Sequence, residues 1–155
     1  MNTAEIQCIL KRNNVTKYQF GGVFARDCLP LLAKHKAYIV NLDKMNENGS
    51  HWISIYFDKN RRGEYFDSYG LPPLFPEIIS FLDQNSILWT YNCKRLQSTN
   101  TLVCGQYCIY YILNRMKQKS LKKIVNDFSF TYFKNDKKVF DLIKNLKKNV
   151  NYKFK

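Results

Sequence analysis

HWISIYFDKNRRGEYFDSYGLPP, residues 51–73, is the stretch on which the fold turns. Its segments HWISIYFD (51–58) and GEYFDS (63–68) are rich in β-branched and aromatic residues, as strands are, and the intervening KNRRG carries turn chemistry. Together they read as a β-hairpin. Working back along the chain, AYIVNL (37–42) has the same composition and is set off by the polar turn NENGS, which makes it a strand preceding the hairpin. Working forward, LPPLFP reads as a turn into a helix, LFPEIISFLDQ has helical spacing, and SILWTYN (86–92) reads as a further strand.

The flanks are helical. AEIQCILKRN predicts a short helix at the start, followed by FGGVFARDCLP, whose paired glycines and closing proline predict an ordered loop. CGQYCIYYILNRMKQ (104–118) carries apolar residues at Cys108, Ile109, Tyr111, Ile112 and Met116 and predicts a largely buried helix beginning at Cys104 or just before it. VFDLIKNLKKNV (139–150) predicts an amphipathic helix with lysines on one face. No repeat, low-complexity tract or Pro/Gly/Ser-rich linker divides the chain. The reading is therefore one α+β domain over residues 1–155, with a central antiparallel or mixed sheet and helices packed on it.

Composition narrows the function classes. With 155 residues, 45% of them hydrophobic, the chain can bury a core without disulfides or a structural metal. No apolar run approaches the roughly 18 residues of a membrane span, and MNTAEIQCILKRNN lacks the apolar core of a signal peptide. A chain made in a reducing compartment, neither secreted nor membrane-bound, is expected. The five cysteines form no CxxC pair, and with His35 and His51 the only histidines no zinc spacing occurs, so no metal is expected and a thiol with a chemical task is worth seeking. Lys and Arg number 25 against 12 acidic residues, a net charge of +13, which favours a polyanion partner such as DNA; a lysine-rich, solvated surface is the alternative.

Cys104 is the thiol best placed for chemistry. A thiol attacks a carbonyl as thiolate, and a helix N-terminus lowers its pKa because unpaired N–H groups and the helix dipole favour negative charge. Gly105 lets backbone approach a substrate closely, and the Cys104 N–H can point at a developing oxyanion. Cys108, one turn on, reads as buried and inert. Because a cysteine at the start of a buried helix is on its own a common core residue, the assignment needs partners. His51 opens a strand after a polar turn, whereas His35 lies in the basic LAKHKAY, and Asp67 closes the partner strand of the hairpin, where its carboxylate can meet the His51 ring if the register allows.

Four segments, HW (51–52), YFDSYGLP (65–72), Gln97 and LVCGQYC (102–108), stand in the order and approximate spacing found in the adenovirus protease family, and more widely in the clan it shares with SUMO-specific proteases. FGGVFARDCLP and FDSYGLPP also resemble segments of the proteases of Polinton/Maverick elements and related viruses. The resemblance spans about residues 15–115. It implies Cys104 as nucleophile, His51 as general base, Asp67 as the acid orienting it, Gln97 as an oxyanion donor beside the Cys104 N–H, and Trp52 as the aromatic residue following the catalytic histidine. It also implies a cysteine endopeptidase cutting viral or mobile-element capsid precursors near glycine, acting as a monomer in the virion and the host cell interior. No cofactor is required, with DNA a candidate activator and an activating peptide left open. The acid here is Asp, as in SUMO proteases, where the adenovirus enzyme has Glu. Val103 departs from the Asp that SUMO proteases carry before the nucleophile, and the Gln-to-Cys spacing follows the adenovirus pattern. None of the cysteines aligns clearly with the one that bonds the adenovirus activating peptide. A protease of ubiquitin-like modifiers and a non-enzymatic nucleic-acid-binding domain are the alternative readings.

Overall fold

In the computed structural model, which describes residues 1–149, the chain runs α1 (Thr3–Arg12), β1 (Phe20–Ala25), a 3-10 turn (Arg26–Cys28), β2 (Ala37–Asn41), β3 (Trp52–Phe57), β4 (Arg62–Phe66), α2 (Pro76–Asn85), β5 (Leu88–Tyr91), α3 (Cys104–Met116), α4 (Leu121–Asn126) and α5 (Tyr132–Asn149). The five strands form one mixed sheet in sequence order, β1-β2-β3-β4-β5. The three middle strands are antiparallel, and each edge strand is parallel to its neighbour. The expected α+β fold with a hairpin at β3 and β4 is what the chain adopts.

Burial follows the strand period of two. Along β2, Ala37 and Ile39 face a cluster built by α1, α3, α4 and α5, while Tyr38 and Val40 face a second cluster that includes Ile78, Phe81 and Leu82 of α2. In β3, Ile53, Ile55 and Phe57 join the α2 side and Tyr56 the α3 side. Helices thus cover both faces of the central strands, which is why AYIVNL reads as a continuous apolar run instead of an alternating one.

Helix α3 is buried from Cys104 through Leu113. Its Tyr111 ring stacks on Phe66 at the end of β4, with centroids 4.5 Å apart and planes 5° from parallel, a contact worth about 1 kcal/mol beyond its area. That stack fixes the helix against the strand end from which Asp67 projects.

Three expectations change. FGGVFARDCLP is not a loop throughout: Phe20–Ala25 is an edge strand, bulged between Phe20 and Gly22. The paired glycines serve the strand. A β-carbon at Gly21 would sit 2.3 Å from the Tyr38 ring, and Gly22 holds φ +145°. Helix α4 was not anticipated; its six residues are too short for periodicity to reveal. The last helix starts at Tyr132 instead of Val139, and Val150 of the expected stretch lies outside the described residues.

Candidate active site

The register of the hairpin does the first assembly step. Pairing of Ser54 with Phe66 brings the start of β3 and the end of β4 to the same edge of the sheet. His51, just before β3, and Asp67, just after β4, meet there with His51 Nε2 2.7 Å from Asp67 Oδ1. The Tyr69 ring lies along the other side of the imidazole, centroids 4.9 Å apart. With Nε2 engaged by the carboxylate, Nδ1 stays uncommitted, and Cys104 lies near enough to His51 for each to shift the other's titration. His35, by contrast, is exposed and away from this cluster.

His51 and Cys104 shift each other toward their charged forms. Burial pushes the Cys104 thiol up, but the His51 hydrogen bond, the backbone N–H groups of Trp52 and Gly105 and the His51 charge outweigh it and hold the thiol below its ordinary value. Burial pulls His51 down, but the hydrogen bonds to Asp67 and Cys104 and their charges prevail, and its pKa is pushed up to about 9. Both shifts favour thiolate with imidazolium. Cys108, fully enclosed, is shifted the other way by burial and stays a neutral thiol.

The helix start carrying Cys104 is open. Asn2 and Ser120 cap α1 and α4 with their side chains, whereas Val103 before α3 offers none. The first N–H groups of α3 therefore remain available to an anion.

Asp67 is held on all sides. Oδ1 also accepts the Tyr69 N–H at 2.9 Å and Oδ2 the Leu71 N–H at 3.3 Å. Its own peptide is clamped by Asn92, whose Oδ1 accepts the Asp67 N–H at 2.9 Å and whose Nδ2 donates to the Asp67 carbonyl at 2.6 Å. The turn closes at Gly70, with φ +72°, where a β-carbon would lie 2.7 Å from the Lys94 backbone; only glycine fits.

Gln97 is 1% exposed and tied to the same turn. The Ser68 carbonyl accepts the N–H groups of Leu96 (2.8 Å) and Gln97 (3.1 Å), and the Ser68 hydroxyl donates to Gln97 Oε1 at 2.7 Å. Gln97 Nε2 donates to the Thr101 carbonyl at 2.7 Å. A flipped amide would set two oxygens against each other at Thr101, so the NH₂ end is fixed and its second proton is not committed to that carbonyl. The fold thus brings His51 and Asp67 into contact, sets Cys104 beside His51, and joins Gln97 to Asp67's turn through Ser68.

Sequence reading missed Asn92, Ser68 and Tyr69 as parts of the site. Ser68 and Tyr69 lie inside YFDSYGLP and could have been weighed there, but an asparagine closing a strand carries no signal of its own.

The α+β core that carries a thiol at the start of a buried helix and a histidine–carboxylate pair at a sheet edge has counterparts among solved structures. Among solved structures the chain is similar to the ASFV pS273R protease, with a TM-score of 0.67 and 19% identity over 94% of this chain and 66% of that one. It is also similar to ChlaDub1 from Chlamydia trachomatis, with a TM-score of 0.56 and 15% identity, covering 81% and 69% of the two chains. The yeast Ulp1 protease domain, solved in complex with Smt3, the yeast ortholog of SUMO, gives a TM-score of 0.50 and 16% identity, covering 94% and 76%. In sequence, the chain is 28% identical over 123 residues to R355 of Acanthamoeba polyphaga mimivirus, assigned as a thiol protease, covering 67% of this chain and 40% of that protein. No protein-family model matches. The chain therefore spans about two-fifths of the mimivirus relative and about two-thirds of the ASFV protease.

Proposed function

We propose that the chain is a cysteine endopeptidase with Cys104 as nucleophile, His51 as its base and acid, Asp67 as the group orienting His51, and Gln97 with the Cys104 N–H as oxyanion donors. One observation carries this reading: a thiol on an uncapped helix start, its pKa lowered by a neighbouring histidine whose Nε2 is 2.7 Å from a buried carboxylate. The Cys104 thiolate attacks the peptide carbonyl carbon, and the oxygen takes the charge against the two N–H donors. As the C–N bond breaks, His51 gives its proton to the leaving amine, leaving an acyl-thioester on Cys104. His51 then takes a proton from water, which attacks the thioester and frees the thiol.

The substrate in this reading is a capsid precursor of a virus or mobile element, cut near glycine, and the site of action is the virion and the host cell interior. The mimivirus and ASFV similarities support a viral setting. A groove of about 380 Å³ beside Trp52, bordered by Met1, Asn41, Met45 and Gly49, offers a path for an extended peptide. A second reading, cleavage of ubiquitin-like modifiers, is favoured by the similarity to Ulp1. Side-by-side digestion of a co-encoded capsid precursor and of a fluorogenic SUMO or ubiquitin substrate separates them. Cleavage of the precursor alone is expected, and cleavage of the modifier alone overturns the capsid assignment.

DNA is the proposed polyanion partner and activator, bound without sequence preference by exposed cations such as Arg61, Arg62, Lys122, Lys123, Lys144 and Lys148. Counterion release gives a slope of about −0.9 per neutralised phosphate in log affinity against log salt, so about five contacts produce a steep fall. Fluorescence anisotropy on a random duplex across a salt series, with cleavage measured with and without DNA, tests this; no binding at low salt refutes it.

A further inference from the structure

Asp136, on α5, is a buried carboxylate that the mechanism above leaves unused. Among the described residues no cation pairs with it. Its partners are three neutral donors: Tyr107 Oη at 2.8 Å on Oδ1, Thr101 Oγ1 at 2.8 Å on Oδ2, and the Ser98 N–H at 3.3 Å from Oδ2 and 3.4 Å from Oδ1. Two of them, Ser98 and Thr101, lie in the loop between Gln97 and Cys104, and the third lies on α3 one turn beyond the nucleophile. Next to it, Asn135 donates to the Leu96 carbonyl at 3.0 Å. Two consecutive side chains of the last helix therefore grip both ends of the segment 96–101.

A buried carboxylate without a counter-ion is costly to desolvate, and it is kept where converging donors compensate it. Those donors fix the position of Thr101, whose carbonyl in turn fixes the NH₂ end of Gln97 at 2.7 Å. Donors at an oxyanion site must be held in place before reaction, and a misplacement of about 1 Å can cost on the order of a hundredfold in rate.

We propose that Asp136 is a positioning residue for the oxyanion donor: through Thr101 it locks the loop that aims the Gln97 amide, so that the last helix is part of the catalytic apparatus without touching substrate. This rests on the protease reading above and adds to it a requirement for α5.

The test uses the whole chain carrying Asp136→Asn, which sets an NH₂ group among donors and leaves Thr101 in place, and separately Thr101→Val, which removes the tie to Asp136 and the 3.5 Å contact of Gln97 Nε2 with Thr101 Oγ1 while keeping the carbonyl that Gln97 uses. On a peptide cleaved by the parent chain, both variants are expected to lower kcat about tenfold per active site titrated with iodoacetamide. KM and the rate of Cys104 alkylation should be unchanged. In nitrogen-15 spectra, the Gln97 side-chain amide pair, assigned by its absence in Gln97→Ala, should move toward the position of a solvated glutamine in both variants. A merely structural role predicts instead a lower melting temperature or fewer titratable sites, with kcat per site and the Gln97 resonances as in the parent, and that result overturns the proposal. If one variant fails to fold, the other decides by the same two readouts. Turnover that survives Cys104→Ala would sink the protease reading alone, and the Gln97 resonances would still decide whether Asp136 holds the loop.

Discussion

The two sides of the site are built in opposite ways. On one side, Asp67, Ser68, Asn92 and Gln97 are enclosed, each no more than 4% exposed, and every one is bonded to another or to the backbone beside it. On the other, Cys104 sits on a helix start that no side chain caps, and its thiol relies on His51 and two backbone N–H groups. The first side is a fixed frame, and the second leaves donors open for a substrate oxygen. Catalysis of this type needs both, because an oxyanion donor works only if it is immobile beforehand and unoccupied at the moment of reaction.

Removing the open side outright should have the largest effect. Cys104→Ala should reduce peptide cleavage to background while the chain stays folded; His51→Ala should be nearly as damaging. Cys8→Ala and Cys28→Ala should retain most activity. Full turnover in Cys104→Ala, measured on any cleaved peptide, would void the contrast at its root.

Loosening the frame should cost less. Gln97→Ala is expected to lower kcat by roughly ten- to a thousandfold with KM and thiol alkylation nearly unchanged. Asp67→Asn, which keeps one acceptor toward His51, should fall below His51→Ala in severity. A Gln97→Ala chain with intact kcat and raised KM would move this residue from the frame to the substrate groove.

The pH dependence sharpens the contrast, because the open side titrates. Alkylation of Cys104 should stay fast below the ordinary thiol range and activity should decline above about pH 9, where His51 loses its proton. In stability terms, the folded pKa of His51 lies above its unfolded value. Its contribution is therefore complete below about pH 6.5 and is lost as pH rises through about 9. A melting-temperature scan of the parent and Cys104→Ala should diverge most in the interval below about pH 9; parallel curves would mean that no ion pair exists.

The smallest effect belongs to the outer frame. Asn92→Ala removes two hydrogen bonds to the Asp67 peptide and should cost about 1–3 kcal/mol of stability, with a several-fold lower kcat that tracks His51 reprotonation. Chemical denaturation and the pH–rate profile check this, and an unchanged profile would make Asn92 a stabiliser only.

How much of this could be read beforehand cuts across that division. The residues proposed for chemistry were legible because His51, Asp67, Gln97 and Cys104 stand in a recognisable order around strands and a helix that composition already marks. The polar residues that hold them were not. Asn92, Asn135 and Asp136 act through tertiary hydrogen bonds spanning 25 to 39 residues, and no local pattern distinguishes them from solvated polar side chains. Strand β1 was hidden for a related reason, since Gly21 answers to the Tyr38 ring on a neighbouring strand and not to its own sequence context.

The sequential strand order of the sheet bears on how the molecule comes into being. Each strand pairs with the one synthesised just before it, so the sheet can grow in the direction of synthesis with short loop closures. His51 and Asp67 then belong to a hairpin completed before Cys104 emerges, and α3 docks onto a surface already formed. The Cys104 thiol is thus the last of these three side chains to arrive, and on a nascent or partly unfolded chain it has the reactivity of any other cysteine.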